Sequence, residues 1–129
     1  MTAIRSEEGK MRKQDNCIFC KIAAGEIPAK IVWEDDNIVA FHDLNPQADH
    51  HVLLVPKHHS ESILTLAADE EGQTVIGQLL QAVPKVAEIL GLTDSGFRLI
   101  INCGPGAGQT VMHLHIHMLA GRDLNESLV

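Results

Sequence analysis

The stretch HLHIH, residues 113–117, decides how the rest of the chain is read. Successive side chains of an extended strand point to opposite faces, so His113, His115 and His117 share one face while Leu114 and Ile116 take the other. One face is then imidazole throughout, and Leu114, Ile116 and Met118 give the opposite face a core to pack into. Grouped imidazoles suit a metal ligand set, general acid–base work or a nucleophile. They also depress one another's pKa, because each charged form repels the next.

Immediately upstream, residues 102–110 read NCGPGAGQT, with Gly104, Gly106 and Gly108 within five positions. Glycines leave backbone N–H groups open to an approaching anion, which suits a phosphate, although a plain flexible hairpin loop has the same composition. FRLIINC (97–103) before the loop and VMHLHIHML (111–119) after it read as strands. Further back, residues 69–90 carry an apolar stripe of Ile76, Leu79, Leu80, Val83, Val86 and Leu90 at helical spacing. Asp69, Glu70 and Glu71 suit the start of that helix and Gly91 the position just past its end. Pro84 inside the stripe removes one backbone bond and predicts a bend.

HVLLVP (51–56) is a short apolar run, as expected of a buried strand ended by Pro56. KIVWEDD and NIVAFHD predict a hairpin about an Asp-Asp-Asn turn, and Asn45-Pro46 marks another turn. CIFCKIAAGEIP (17–28) predicts a short helix ended by Gly25 and Pro28. Strands, then a helix, then strands predict one α+β domain with an antiparallel meander over residues 16–129, preceded by a disordered tail at 1–15.

Bulk composition agrees with this outline. The chain has 129 residues, 45% hydrophobic and 21% charged, with three Phe, one Trp and no Tyr, so an aliphatic core is expected. A net charge of −7 speaks against general binding to a nucleic-acid backbone, while leaving room for a small phosphate ligand. No stretch approaches the roughly 18 apolar residues of a membrane span, and the N-terminus lacks the apolar segment of a secretory signal. Three cysteines make no disulfide framework, so a cytoplasmic setting is expected.

Cys17-Ile18-Phe19-Cys20 has the spacing of half a tetrahedral zinc site. The missing ligands would come from histidines, with His50, His51, His58 and His59 available besides the strand; the alternative is two thiols buried as small hydrophobes. Cys103 has no partner in sequence and reads as packing. Asp43, at a strand end, suits either a ribose diol or the capping of the Asn45-Pro46 turn.

These features together resemble the histidine triad (HIT) family of nucleotide-binding proteins. HLHIHML has the form His-φ-His-φ-His-φ-φ and follows a G-Q-[ST]-V segment. CIFCKIAAGEIPAKIVWEDDNIVAFHDLNPQADHHVLLVPKHH resembles the family's N-terminal half and GFRLIINCGPGAGQTVMHLHIHMLAGR its C-terminal half, so the likeness covers residues 17–122. It is nearest the small HINT-type branch acting on purine nucleoside phosphoramidates and adenylates.

The resemblance implies a HIT-like fold of about five antiparallel strands, one main helix and a short N-terminal helix, pairing as a homodimer. It implies hydrolase activity in which His115 takes the nucleoside monophosphate as a covalent adduct and releases AMP or GMP. His117 and the backbone near Gly108 and Gln109 would hold the α-phosphate, with Asn102 beside it and Thr110 at the leaving-group side. Asp43 would bind the ribose, while Ile18, Phe19, Ile22, Phe41 and Leu44 would wall the base. His51 and His113 would stand behind the catalytic imidazole and complete a structural zinc site with Cys17 and Cys20, and no magnesium is required by this chemistry. The alternatives are a non-catalytic nucleotide-binding adaptor and, third, a triad that is itself a catalytic metal site. The chain departs from the family at Met112, where relatives often carry an aromatic residue, at Pro84 in a helix that usually contributes to the dimer, and after Arg122, where DLNESLV replaces the Trp-Pro-Pro tail of the animal branch.

Overall fold

The computed structural model describes residues 16–121 and Leu124. The expected tail at 1–15 and most of the divergent C-terminus lie outside these residues. The predicted hairpin is strands β1 (Ile31–Glu34) and β2 (Ile38–His42), paired antiparallel. Its turn is set by Asp35, whose carboxylate accepts the backbone N–H groups of Asn37 and Ile38 at 2.8 and 2.7 Å. A short acidic side chain closing its own turn in this way is why Asp-Asp-Asn ends one strand and starts the next.

Strand β3 (His50–Pro56) pairs with β2 and, on its other side, with β5 (Ile116–Ala120); β4 (Arg98–Ile100) lies outside β5. The sheet order is β1-β2-β3-β5-β4 and every neighbouring pair is antiparallel. Two ladders are shorter than the sequence suggests. FRLIINC pairs only over Arg98–Ile100, and the histidine stretch joins the sheet only at Ile116. Residues 113–115 are spent on side-chain and loop contacts instead, as Leu114 shows by donating its N–H to the carbonyl of Ser60 at 2.7 Å.

Helix α1 (Ile18–Ala23) precedes the sheet, and a four-residue helix α2 (Ile63–Leu66), which no sequence pattern announced, leads into the long helix α3 (Glu70–Leu90). Asp69 caps α3 by accepting the N–H of Gly72 at 2.8 Å, and Gly91 ends it in the left-handed conformation at φ 72°. The helix runs past Pro84, whose missing N–H leaves the carbonyl of Leu80 without its usual partner; Leu80 is on the exposed side, where water can take that role. Gly72 is required by packing, since a Cβ there would lie 1.5 Å from the carbonyl oxygen of Leu66.

The sheet separates two apolar clusters. On one face α3 contributes Leu79, Ala82 and Val86, packed with Ile38, Val52, Leu54, Leu114, Ile116 and Met118. On the other, α1 contributes Phe19 and Cys20, packed with Val39, Phe41, Leu53 and Val55. The alternation read in the sequence therefore holds: Leu114, Ile116 and Met118 face α3, and the histidines between them face α1. Among the described residues, no helix is long and apolar enough to cross a membrane.

Candidate active site and metal cluster

The α1 face carries two adjoining constellations. In the first, Cys17, Cys20, His59 and His113 come together, all four buried, with their ligand atoms within 4.8 Å of one another. The Nδ1 of His113 lies 3.2 Å from Cys17 Sγ, 3.5 Å from Cys20 Sγ and 3.1 Å from His59 Nδ1, and His59 Nδ1 lies 3.3 Å from Cys20 Sγ. Cys17 caps α1, its sulfur accepting the N–H of Cys20 at 3.4 Å. The other nitrogen of His113 faces the carbonyl oxygen of Pro56 at 2.7 Å. A carbonyl only accepts, so Nε2 carries the proton and Nδ1 turns a lone pair toward the two thiols.

That arrangement fits a metal. With zinc bonds of about 2.0–2.1 Å to nitrogen and about 2.3 Å to sulfur, tetrahedral edges come to roughly 3.3 Å between nitrogens and roughly 3.6 Å between nitrogen and sulfur. The observed spacings lie about 0.1–0.4 Å inside these edges, and two sulfurs with two imidazole nitrogens are a zinc donor set. The expected fourth ligand changes, however. His51 stands away from the cysteines and His59 takes the place given to it. The register explains the exchange. Leu54 pairs with Ile116 and Leu53 with His117, so β3 and β5 run in opposite directions and His113 falls opposite the chain just beyond Pro56. His51 falls at the other end, beside His117.

The second constellation is the triad proper. His115 is buried against Phe19, with ring centroids 5.0 Å apart, and its Nδ1 donates to the carbonyl oxygen of His113 at 2.8 Å. The neutral ring therefore keeps its Nε2 lone pair. His117 Nδ1 lies 2.9 Å from His51 Nε2, which is also 3.4 Å from Asp43 Oδ2. Burial holds these imidazoles in the neutral form. It pushes His113 and His117 down to about 4, with neighbouring histidines adding to the effect. His115 is lowered as well, burial outweighing its bond to the His113 carbonyl and the nearby Asp43 charge.

His115 and His117 open into a cavity of about 260 Å³, whose walls are Ile18, Phe19, Ile22, Phe41 and Leu53, with Asp43, Leu44 and Thr110 also lining it. The residues expected to wall a base are thus gathered at the histidines. Asp43 caps its turn, Oδ1 accepting the N–H of Asn45 at 2.8 Å, and the residue also lines the cavity.

A model of the HIT domain family matches residues 24–124. The chain belongs to the HIT family. It is 52% identical over 105 residues to protein HitA of Neisseria gonorrhoeae, covering 81% of this chain and 95% of that one. It is 40% identical to a 14 kDa zinc-binding protein of Zea mays, covering 92% and 94%. A HIT family hydrolase from Legionella pneumophila superposes with a TM-score of 0.81 at 43% identity, covering 87% of this chain and 98% of that chain. The five-stranded antiparallel sheet with its helices is the fold of this family.

Within this HIT domain the glycine loop differs from its sequence reading. The amides of Ala107 and Gln109 donate to the carbonyl of Gly104, and that of Gly108 to Pro105, closing a 3-10 turn over Pro105–Ala107. These N–H groups are committed to the loop, and Asn102, Gly108 and Gln109 lie outside the cavity lining. The buried Gln109 side chain instead ties the loop down. It accepts from Gly104 N–H at 2.8 Å and donates to the carbonyls of Glu61 and Val111 at 2.6 and 3.0 Å. Sequence reading missed this role, and it offered His59 only as one of four spare histidines, of which the structure brings His59 to the cysteines.

Proposed function

We propose that this HIT protein hydrolyses purine nucleoside phosphoramidates or related nucleotidyl compounds through a covalent nucleotide on His115. The observation that carries the reading is the 2.8 Å contact of His115 Nδ1 with the His113 carbonyl oxygen: a carbonyl only accepts, so the proton sits on Nδ1 and Nε2 keeps a lone pair beside the apolar-walled cavity. Attack by Nε2 on phosphorus breaks the phosphorus–nitrogen bond, and the amine leaves with a proton drawn from solvent, which hydrolysis of the adduct later returns. The ring gains positive charge in this step, which strengthens its Nδ1–H bond to the His113 carbonyl. In this reading His117 donates to the non-bridging oxygens as their charge develops, and Thr110, which also lines the cavity, lies at the leaving-group side. Water then cleaves the bond between phosphorus and His115 and releases AMP or GMP. Asp43 on the cavity wall suits the ribose hydroxyls, and Phe19 and Phe41 suit the base.

Cys17, Cys20, His59 and His113 would hold zinc in the same reading, and the Zea mays relative is named as a zinc-binding protein. When bound, the ion neutralises the thiolates and fixes α1 against the segment after β3; with four protein ligands it is structural. None of the three cysteines is in a disulfide, as a reducing cytoplasm would keep them. A homodimer belongs to the reading too, supported by edge strand β4 with exposed Phe97, Leu99 and Ile101 along it.

The test is steady-state turnover of an adenosine 5′-phosphoramidate by the wild type and His115→Asn. The expected result is turnover by the wild type and a loss of at least about a thousandfold in the variant, as for removal of a nucleophile. Binding of AMP by both proteins with turnover by neither would replace this reading with that of a nucleotide-binding adaptor.

A further inference from the structure

The cysteine cluster and the cavity beside His115 share their parts. Helix α1 carries Cys20 and is capped by Cys17, and the same helix supplies Ile18, Phe19 and Ile22 to the cavity wall. Across from it, the His113 ring faces the two sulfurs at 3.2 and 3.5 Å, while the His113 carbonyl oxygen holds the Nδ1 proton of His115. Phe19 touches both imidazoles, its ring nearly perpendicular to each, with centroids 5.9 Å from His113 and 5.0 Å from His115. A helix of six residues has too few internal hydrogen bonds to hold its place alone. Its position rests on the packing of Phe19 and Cys20 and on the four-way link among Cys17, Cys20, His59 and His113.

Two of those four groups are thiols three residues apart. One helical turn sets their Cα atoms roughly 5 Å apart, within the range of about 4.4–6.8 Å that a disulfide spans. Their sulfurs lie within 4.8 Å of each other, so side-chain rotation can bring them to bonding distance. Cys103, half-buried, stands outside this cluster.

We propose that Cys17 and Cys20 are a redox latch on the cavity: oxidation to a Cys17–Cys20 disulfide releases the metal and frees α1, with its share of the cavity wall, from the segment that carries His115. The oxidant is a hydroperoxide. One thiolate attacks a peroxide oxygen, the O–O bond breaks, and with a proton from solvent a sulfenic acid and water form from hydrogen peroxide. The second thiolate attacks the sulfenic sulfur, the S–O bond breaks, and a second proton carries the oxygen away as water. Two electrons pass from the thiolates to the peroxide. A disulfide offers no thiolate ligand, and the remaining two imidazoles make only half a tetrahedral site. Metal release rests on the zinc reading given above; the disulfide and the loosening of α1 rest on the cysteines alone.

The experiment treats the zinc-loaded full chain with hydrogen peroxide near neutral pH, comparing the wild type with Cys103→Ser. Zinc release is followed with a chromogenic chelator, the disulfide by intact mass and peptide mapping, α1 by amide hydrogen exchange over residues 18–24, and the cavity by AMP calorimetry. Both proteins should release one zinc per chain and lose two hydrogens, mapped to Cys17 and Cys20. Exchange over residues 18–24 should quicken and AMP affinity should fall about tenfold. Dithiothreitol with zinc should reverse all of these changes, which separates the disulfide from methionine sulfoxide. Zinc that stays bound while only Cys103 is oxidised overturns the inference. So does a Cys17–Cys20 disulfide that leaves exchange unchanged, or oxidation to a sulfinic acid that a thiol does not reverse. If the chain takes up no zinc or binds no AMP, the corresponding part of the proposed function falls, while the disulfide and the exchange over residues 18–24 still decide this inference.

Discussion

The protein should lose stability as pH falls through the histidine range, and the size of the loss follows from the buried rings. His113 is fully buried and pushed down to about 4 in the folded chain, against an ordinary value of 6.5. Between these values the unfolded chain binds a proton that the folded chain refuses, so stability is complete above about pH 7 and declines below it. By pH 5 one such histidine destabilises the fold by about 2 kcal/mol relative to pH 8. His117 is also pushed down to about 4, and His51 and His115 are lowered, so all three act in the same direction. The assay is urea unfolding of chelator-treated protein at pH 8, 7, 6 and 5, followed by circular dichroism. The unfolding free energy should be flat from pH 8 to 7 and fall by at least about 2 kcal/mol by pH 5. A free energy that stays level or rises toward pH 5 would refute the claim that these imidazoles are held neutral.

Four substitutions probe other parts of the account. Cys20→Ser should lower zinc content, measured by inductively coupled plasma mass spectrometry, while His51→Gln should leave it near wild type; the opposite pattern would restore His51 as the ligand in place of His59. Asp43→Ala should weaken AMP binding by ~1–2 kcal/mol, the range of a hydrogen bond to a charged group, and calorimetry showing unchanged affinity would return Asp43 to turn capping alone. Gly72→Ala forces a Cβ to within 1.5 Å of the Leu66 carbonyl oxygen, so α2 and α3 must separate. Its thermal midpoint should drop by several degrees, about 1–3 kcal/mol of overpacking, and an unchanged midpoint would show that the contact yields freely.

Periodicity and caps carried most of the fold. The alternation at 113–118 sorted histidines from apolar residues correctly, and Asp69 and Gly91 bounded α3, because each of these signals is local to a few residues. What failed was non-local. Choosing His59 over His51 requires knowing that Leu54 faces Ile116, a register set by two strands far apart in sequence. The glycine loop looked open because glycine permits exposed amides, but its N–H groups turn back on Gly104 and Pro105, and composition is silent on that choice. Asp43 could not be divided between turn and cavity because one residue caps the turn through Oδ1 and also lines the cavity.

The central claim is that His115 is a nucleophile whose free nitrogen is set by the His113 carbonyl. Intact-mass spectrometry of the protein quenched in acid-free denaturant during turnover of an adenosine 5′-phosphoramidate tests it most directly. The account predicts a wild-type species heavier by one adenylyl group, mapped to His115 by peptide fragmentation and absent from His115→Asn. An adduct on another residue, or turnover that persists in His115→Asn, would contradict it.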